Sequence, residues 1–315
     1  MVIKMKKKYL VTGGTGFIGS SIVRYLVGRG MDVTVIDNNQ RGSLNRLRDL
    51  KNKIKFFKID IRNRSKVIKV SKNVDTIIHL AYVNGTEFFY SKPELVLDIA
   101  VKGAINILDA AIENNVKNFF LASSSEVYQK PKIIPTPEEI PLVVPELSNP
   151  RFSYGGGKII SELLCQHYGK KYFKKMIIFR PHNIYGSDMG NQHVIPQLIK
   201  KIRNSKKNKE IVIQGSGKET RAFTHIFDFI QAFDLIIRKG KHLNVYNIGT
   251  SEEISINKLV NLIMSKTKTK SKVIKSPIRK GSTTRRLPKI EKIKKLGFKQ
   301  KIKILKGLDD MINFY

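Results

Sequence analysis

Tyr154 and Lys158 stand four residues apart in a segment whose apolar spacing predicts a helix from about Tyr154 to Tyr172. At that spacing both side chains leave the same helix face. An ammonium beside a phenol stabilises the phenolate and lowers the phenol's pKa. A phenol tuned toward neutrality can take the proton of an alcohol while a hydride departs from its carbon. A Tyr-x-x-x-Lys pair also arises by chance on surfaces, so its meaning depends on company. Ser123-Ser124-Ser125-Glu126 follows a predicted strand, Asn118 to Ala122. The carboxyl ends of parallel strands face the ligand crevice, and a hydroxyl there can bond the same substrate oxygen.

Such chemistry needs a hydride acceptor, and the N-terminal segment offers a place for one. Tyr9-Leu10-Val11-Thr12 reads as a strand and Phe17 to Val27 as an amphipathic helix. Between them the glycines recur every third residue, at Gly13, Gly16 and Gly19. Gly13 and Gly16 let the backbone turn tightly and approach a pyrophosphate. The helix start at Phe17 and Ile18 supplies free N–H donors and the positive dipole end. Gly19 lets the helix lie close to the sheet. Glycines alone are common in turns; here the strand, the helix and a later acid agree. That acid is Asp37, at the end of a second strand from Asp32. Its carboxylate suits ribose hydroxyls and repels a 2′-phosphate, which favours NAD over NADP. Arg41 lies nearby and softens that preference. Asp60, after the third strand, reads equally as a contact to the adenine amino group or as a turn aspartate.

The elements that must carry these residues alternate. Strands are expected at Lys55 to Ile59 and Thr76 to Leu80, a short helix at Leu44 to Leu50, and a weaker one at Arg64 to Val70. A helix starts at Pro93 and runs to about Ile112. Prolines at 131, 135, 137, 141, 145 and 150 mark an extended loop. A sixth strand spans Met176 to Phe179, and the pattern loosens after Arg180-Pro181. The expected fold is α/β: a Rossmann-type doubly wound parallel sheet with a smaller, mixed α/β C-terminal substrate-binding region. Residues 1–180 form the NAD-binding domain, 224–250 return to it, and 181–223 with 251–315 bind substrate.

Composition bounds the rest. The chain has 315 residues and a formal net charge of +34. Its lysines are spread along the whole length, without interleaved aromatics, so they read as solvated faces and not as a nucleic-acid platform. A positive field still favours an anionic substrate. The single cysteine, Cys165, excludes a disulfide framework, and the six histidines show no metal-ligand spacing. No metal, nucleic-acid or membrane partner is expected. No apolar run reaches a membrane span, and the basic start breaks at once into Thr12-Gly13-Gly14, so a cytoplasmic protein is expected.

Taken together, these pieces resemble the extended short-chain dehydrogenase/reductases that act on nucleotide sugars. The resemblance covers nearly the whole chain. It rests on Thr12-Gly13-Gly14-Thr15-Gly16-Phe17-Ile18-Gly19, His79-Leu80-Ala81, Ser123 to Tyr128 and Tyr154-Gly155-Gly156-Gly157-Lys158. Downstream, Arg180 to Gly186, Gly215 to Arg221 and Tyr246 to Thr250 also match. The resemblance implies Ser124, Tyr154 and Lys158 as the catalytic trio, with Glu126 placed like the base of the dehydratases. It implies NAD contacts from Asp60, Ile61, Leu80 and Ala81. A nucleotide-diphosphate sugar is the implied substrate, met by Ser125, Asn183 and Arg221, with Arg279 or Arg286 beside them. A homodimer through the Tyr154 helix and the Pro93 helix is implied as well.

Two positions depart from the family pattern. Ala100 stands where many members carry Asn, and Tyr82 where a second Ala is usual, adding bulk beside the nicotinamide or the sugar. The implied reaction begins with oxidation at sugar C4. Epimerisation and 4,6-dehydration then stand level. Decarboxylation of a UDP-glucuronate comes third, because a Ser-Glu pair occurs there too. A non-catalytic NAD- or nucleic-acid-binding relative is the other class, but such relatives usually lose the Tyr or the Lys.

Overall fold

The computed structural model describes residues 6–208, 210–278 and 280–315. In chain order the elements are β1 (Lys8–Thr12), α1 (Phe17–Gly28), β2 (Asp32–Asp37), β3 (Ile54–Lys58), α2 (Arg64–Val70), β4 (Thr76–His79), α3 (Thr86–Ser91), α4 (Pro93–Asp98), α5 (Ala104–Glu113), β5 (Asn118–Ala122), α6 (Phe152–Tyr172) and β6 (Lys175–Pro181). There follow β7 (Ile184–Tyr185), α7 (Val194–Asn208), β8 (Glu210–Gln214), β9 (Thr220–Ala222), β10 (Thr224–His225), α8 (Ile226–Lys239), β11 (Val245–Ile248), β12 (Glu253–Ser255), α9 (Ile256–Lys266), β13 (Lys272–Ser276), β14 (Arg285–Arg286), α10 (Glu291–Lys295) and α11 (Ile304–Phe314).

Seven strands form one sheet in the order β11-β6-β5-β4-β1-β2-β3, and β1 to β6 pair in parallel. The chain winds outward from β1 through β2 to β3, then crosses to β4 and winds the other way. The ends of β1 and β4 therefore flank the switch point, where such sheets hold ligands. Strands covered on both faces read as continuous apolar runs. β4 and the last four residues of β5 are fully buried, and Leu10, Ile77, Phe119 and Ile178 share a core with Ile107 and Leu108 of α5. Burying each such side chain contributes about 1.5–3 kcal/mol.

The helix expected from Pro93 to Ile112 forms, but not as one regular α-helix. One wider π turn, Ile99–Gly103, joins α4 to α5, and α3 precedes them. Neighbours hold the turn in place. The Ser161 hydroxyl of α6 donates to the Ala100 carbonyl at 3.2 Å. At Gly103 a Cβ would lie 2.3 Å from the Ile61 Cδ1, so the missing side chain leaves room for Ile61. Such turns recur beside functional sites.

The chain separates into two compact units. The first holds the described residues through Val127, then Leu142–Arg180 and Ile236–Tyr246; the second holds Tyr128–Pro141, Pro181–Leu235 and Asn247–Tyr315. This differs from the division expected from the sequence in two places. Tyr128–Pro141 belongs to the second unit, because the Thr136 amide donates to the Leu287 carbonyl and the Thr136 carbonyl accepts from Lys289 N–H, each at 2.8 Å. Of residues 224–250, only Ile236–Tyr246 joins the first unit. The start of α8 is tied to the second unit by Asp228, whose carboxylate accepts the Lys301 and Ile302 amides. Three small sheets serve the second unit: β7 with β10, β8 with β13, and β12-β9-β14. Among the described residues no helix is long and apolar enough to cross a membrane, and no three His, Cys, Asp or Glu side chains are grouped to hold a metal ion.

Candidate active site

The turn after β1 is built so that backbone can approach backbone. Gly13 has φ +69°, and a Cβ on it would lie 2.7 Å from the Ala81 nitrogen. The Thr12 hydroxyl accepts the Leu80 and Ala81 amides at 3.1 and 3.0 Å and sits 2.7 Å from His79 Nδ1. These contacts pin the end of β4 against the end of β1. Gly16 caps α1 without a side-chain hydrogen bond, and the first turn carries no acidic residue. The amides that begin α1, those of Phe17 and Ile18 among them, come before the first i→i−4 bond, from Ser20 to Gly16. A cradle that a Cβ would fill, open to helix amides, fits a pyrophosphate.

Asp37, at the end of β2, is nearly buried. Its two oxygens accept the Thr15 and Asn39 amides at 3.1 and 2.8 Å. An ionised carboxylate has about four acceptor sites, so capacity for ribose hydroxyls remains. Arg41 is turned toward Phe88, 5.1 Å from that ring's centroid, and lies against Gly85. Asp60 is engaged by Arg62, which reaches it at 2.7 Å and also bridges to Asp98 at 2.9 Å. Those bonds hold the Asp60 carboxyl below the usual range. Ile61 is buried on Gly103.

Tyr154 and Lys158 are both buried in the first turns of α6. Three glycines lie between them, which lets neighbouring chain come close: a Cβ at Gly157 would lie 2.3 Å from the Tyr82 hydroxyl and 2.6 Å from the Ala100 Cβ. The Lys158 ammonium donates to the Ala122 carbonyl, at the end of β5, at 2.6 Å. It stands 6.0 Å from the Tyr154 ring centroid. Burial pushes its pKa down to about 7, against the opposing pull of Glu162. His79 is neutral, pushed down to about 3 by burial and by Lys158.

A lysine that is depressed in the folded state binds fewer protons there than in the unfolded chain between about pH 7 and its ordinary value near 10.5. Its contribution to folding therefore becomes more favourable as pH rises through that window, and it is least favourable below pH 7. We expect Lys158→Met to gain most in melting temperature at pH 6, with the difference from the parent shrinking steadily toward pH 10. A difference independent of pH would remove this assignment.

Ser124 follows β5, and its hydroxyl accepts the Glu126 amide at 3.2 Å, which fixes the turn. Ser125 is buried. The Glu126 carboxylate lies 3.6 Å from the Arg151 guanidinium, a partner that no spacing in the sequence pointed to. A second contact missed from sequence is the bidentate pair of Arg180 with Glu162, at 2.8 and 2.6 Å, buried behind Lys158. The bulk of Tyr82 does not project into open space. Its ring lies under the Lys158 ammonium, 3.8 Å from Nζ to centroid.

In the second unit, Arg221 of β9 and Arg286 of β14 are register partners. The Arg221 guanidinium donates to the Thr220 and Thr283 carbonyls at 2.7 Å, and Arg286 donates to the Thr283 hydroxyl at 3.0 Å. Asn183 has φ +43°, and its amide donates to the Ala222 carbonyl at 3.2 Å. Two candidate cations thus stand side by side on one small sheet, with Asn183 bonded to the same strand. Arg279 lies outside the described residues. The motifs that contain Tyr128, His182 and Asn247 meet at a structural hub: the buried Asn247 side-chain oxygen accepts the Tyr128 hydroxyl at 2.7 Å and lies 3.1 Å from His182 Nε2.

Comparison with known proteins identifies the family. The sequence model of the NAD dependent epimerase/dehydratase family matches residues 9–249. A putative UDP-glucose 4-epimerase of Methanocaldococcus jannaschii is 32% identical over 310 residues, 97% of each chain. A UDP-N-acetyl-alpha-D-glucosaminuronate decarboxylase of Bacillus cytotoxicus is 30% identical over 321 residues, covering 99% of this chain and 98% of that one. The crystal structure of DesIV, a dTDP-glucose 4,6-dehydratase of Streptomyces venezuelae with NAD bound, superimposes with a TM-score of 0.89 at 25% identity, over 98% of this chain and 96% of that one. With a family match spanning the sheet, the glycine turn and the Tyr154–Lys158 helix, the chain belongs to the NAD-dependent epimerase/dehydratase family.

Proposed function

We propose that the chain is a nucleotide-sugar 4-epimerase that oxidises C4 of a UDP- or dTDP-hexose and reduces it again on the other face. The observation that carries the choice within the family is the ion pair of Glu126 with Arg151 at 3.6 Å. Elimination needs a further base, and a carboxylate neutralised by a guanidinium is a poor one. A second reading, 4,6-dehydration, draws on one observation: Glu126 sits two residues beyond Ser124, in the turn that follows β5.

Bound NAD supplies the oxidant for C4 and the reductant for the return step. Gly13, Gly16, Phe17, Ile18 and Gly19 would hold its pyrophosphate, Asp37 the adenosine ribose, and Asp60 and Ile61 the adenine side. Leu80 and Ala81 would border the nicotinamide half. Tyr154 takes the proton of the C4 hydroxyl at its phenolate oxygen and gives it back after reduction. Lys158 holds positive charge beside that oxygen, and the Ser124 hydroxyl orients the C4 oxygen. Ser125, Asn183, Arg221 and Arg286 would meet the nucleotide sugar, the two guanidiniums suiting a diphosphate. Exposed apolar side chains on α4 and α6, Leu97, Ile160 and Leu163, support a homodimer through those helices. The buried free Cys165 is in keeping with a reducing, cytoplasmic setting.

The test is product analysis by NMR across UDP- and dTDP-sugars. An inverted C4 proton supports the proposal; a 6-deoxy-4-keto sugar or a pentose replaces it with dehydration or decarboxylation. Glu126→Gln should leave epimerisation within about fivefold, whereas loss of a general base costs about 10²–10⁴-fold.

A further inference from the structure

We propose that Tyr82 is a positioning residue for Lys158: its ring face holds the ammonium in place and the same ring braces Tyr154. The inference rests on the reading of Tyr154 and Lys158 given above. The Lys158 Nζ lies 3.8 Å from the Tyr82 ring centroid, close enough for a cation over the face of an aromatic ring. The same ring meets Tyr154 in a T-shaped contact, centroids 5.0 Å apart. One side chain therefore touches both members of the acid–base pair.

The fit is built from both sides. Gly157 has no side chain, and a Cβ there would strike the Tyr82 hydroxyl at 2.3 Å. Ala100, at the π turn, carries only a methyl and lines the same spot. A longer side chain at either position would expel the phenol. The large residue at 82 and the small ones at 100 and 157 are complementary, so the two departures from the family pattern explain each other. The phenol hydroxyl itself is buried without a hydrogen-bond partner, and burial and Tyr154 raise its pKa well above the ordinary value. The ring, not the hydroxyl, is the working part.

Other groups also act on Lys158. The Ala122 carbonyl accepts a hydrogen bond from its ammonium at 2.6 Å, Glu162 and Cys165 favour its charge, and neutral His79 lies close by. Arg180 neutralises Glu162. Against that background the aromatic face is the one contribution that an apolar side chain of similar bulk would remove.

The experiment titrates the protein labelled with ε-¹³C lysine, the Lys158 resonance being assigned by its loss in Lys158→Met. Tyr82→Phe should titrate as the parent does. Tyr82→Leu should titrate about one pH unit lower, since loss of an aromatic face beneath a desolvated cation destabilises the charged form. Tyr82→Met gives the same reading if the Leu variant does not fold. With UDP-glucose, Tyr82→Leu should lose kcat about fivefold at pH 7 with little change in KM, matching the lost ammonium fraction. An unmoved midpoint in Tyr82→Leu or Tyr82→Met overturns the inference. A moved midpoint in a protein whose wild type transforms no nucleotide sugar keeps the inference and overturns the functional reading instead.

Discussion

Replacing Tyr154 by Phe should lower turnover of a nucleotide sugar by at least about a hundredfold and leave NAD binding and folding intact. The structure favours so clean a result. The Tyr154 ring is stacked on Phe89, centroids 4.9 Å apart, and braced by the edge contact with Tyr82. A phenylalanine keeps both contacts and the buried apolar area, so no cavity forms. What disappears is the phenol oxygen, the proposed acceptor of the substrate proton. General acid–base catalysis by a positioned side chain is worth about 10²–10⁴-fold, or roughly 3–5 kcal/mol of barrier. Three measurements on one preparation check this: turnover of UDP-glucose, NAD affinity by calorimetry, and thermal unfolding. Turnover within about threefold of the parent would refute the assignment of Tyr154. Loss of NAD binding would say that the phenol holds cofactor and not the proton.

Much of this arrangement could be read from residue order because it depends on local geometry. The alternation of apolar runs gave β2 and β5 to the residue, since strands buried on both faces have no other way to look. The glycine turn was legible because each glycine answers a short-range demand, a positive φ at Gly13 and a close approach at Gly19. Tyr154 and Lys158 were legible because four residues are one helical turn. The features that escaped are long-range. Nothing near Glu126 signals Arg151, which arrives from the far side of the proline loop. Nothing in the apolar periodicity from Pro93 marks the π turn, which is secured by Ser161 and Ile61 from other elements. Tyr82 was visible as an oddity, but its partner is Lys158, and only the fold brings the two together. The contacts of the segment after Val127 are long-range as well. Tyr128–Pro141 follows β5 in sequence yet makes its backbone bonds with residues more than 140 positions later.

Gly19→Ala should weaken NAD binding by about a hundredfold or more and lower the melting temperature, while Gly28→Ala in the same helix should do neither. A Cβ at Gly19 would stand 2.1 Å from the Gly13 carbonyl oxygen and 2.8 Å from the Gly14 Cα. Both are backbone atoms, so no side chain can swing aside to make room. Either α1 withdraws from the sheet by about 1 Å or the turn after β1 opens. Overpacking of this kind costs about 1–3 kcal/mol in stability. The effect on the cofactor is larger, because the amides at the start of α1 act only when aimed together at one pyrophosphate, and a shift of about 1 Å in a positioned group costs about a hundredfold. At Gly28, the last residue of α1, a Cβ meets nothing within 4 Å. Alanine there should stabilise the helix by about 0.5–1 kcal/mol. Calorimetric NAD titration of the two variants separates a demand for close approach from a general preference for glycine. Equal affinities would mean that the turn tolerates a methyl group, and that the fit of β1, α1 and the end of β4 around Gly13 does not govern cofactor binding.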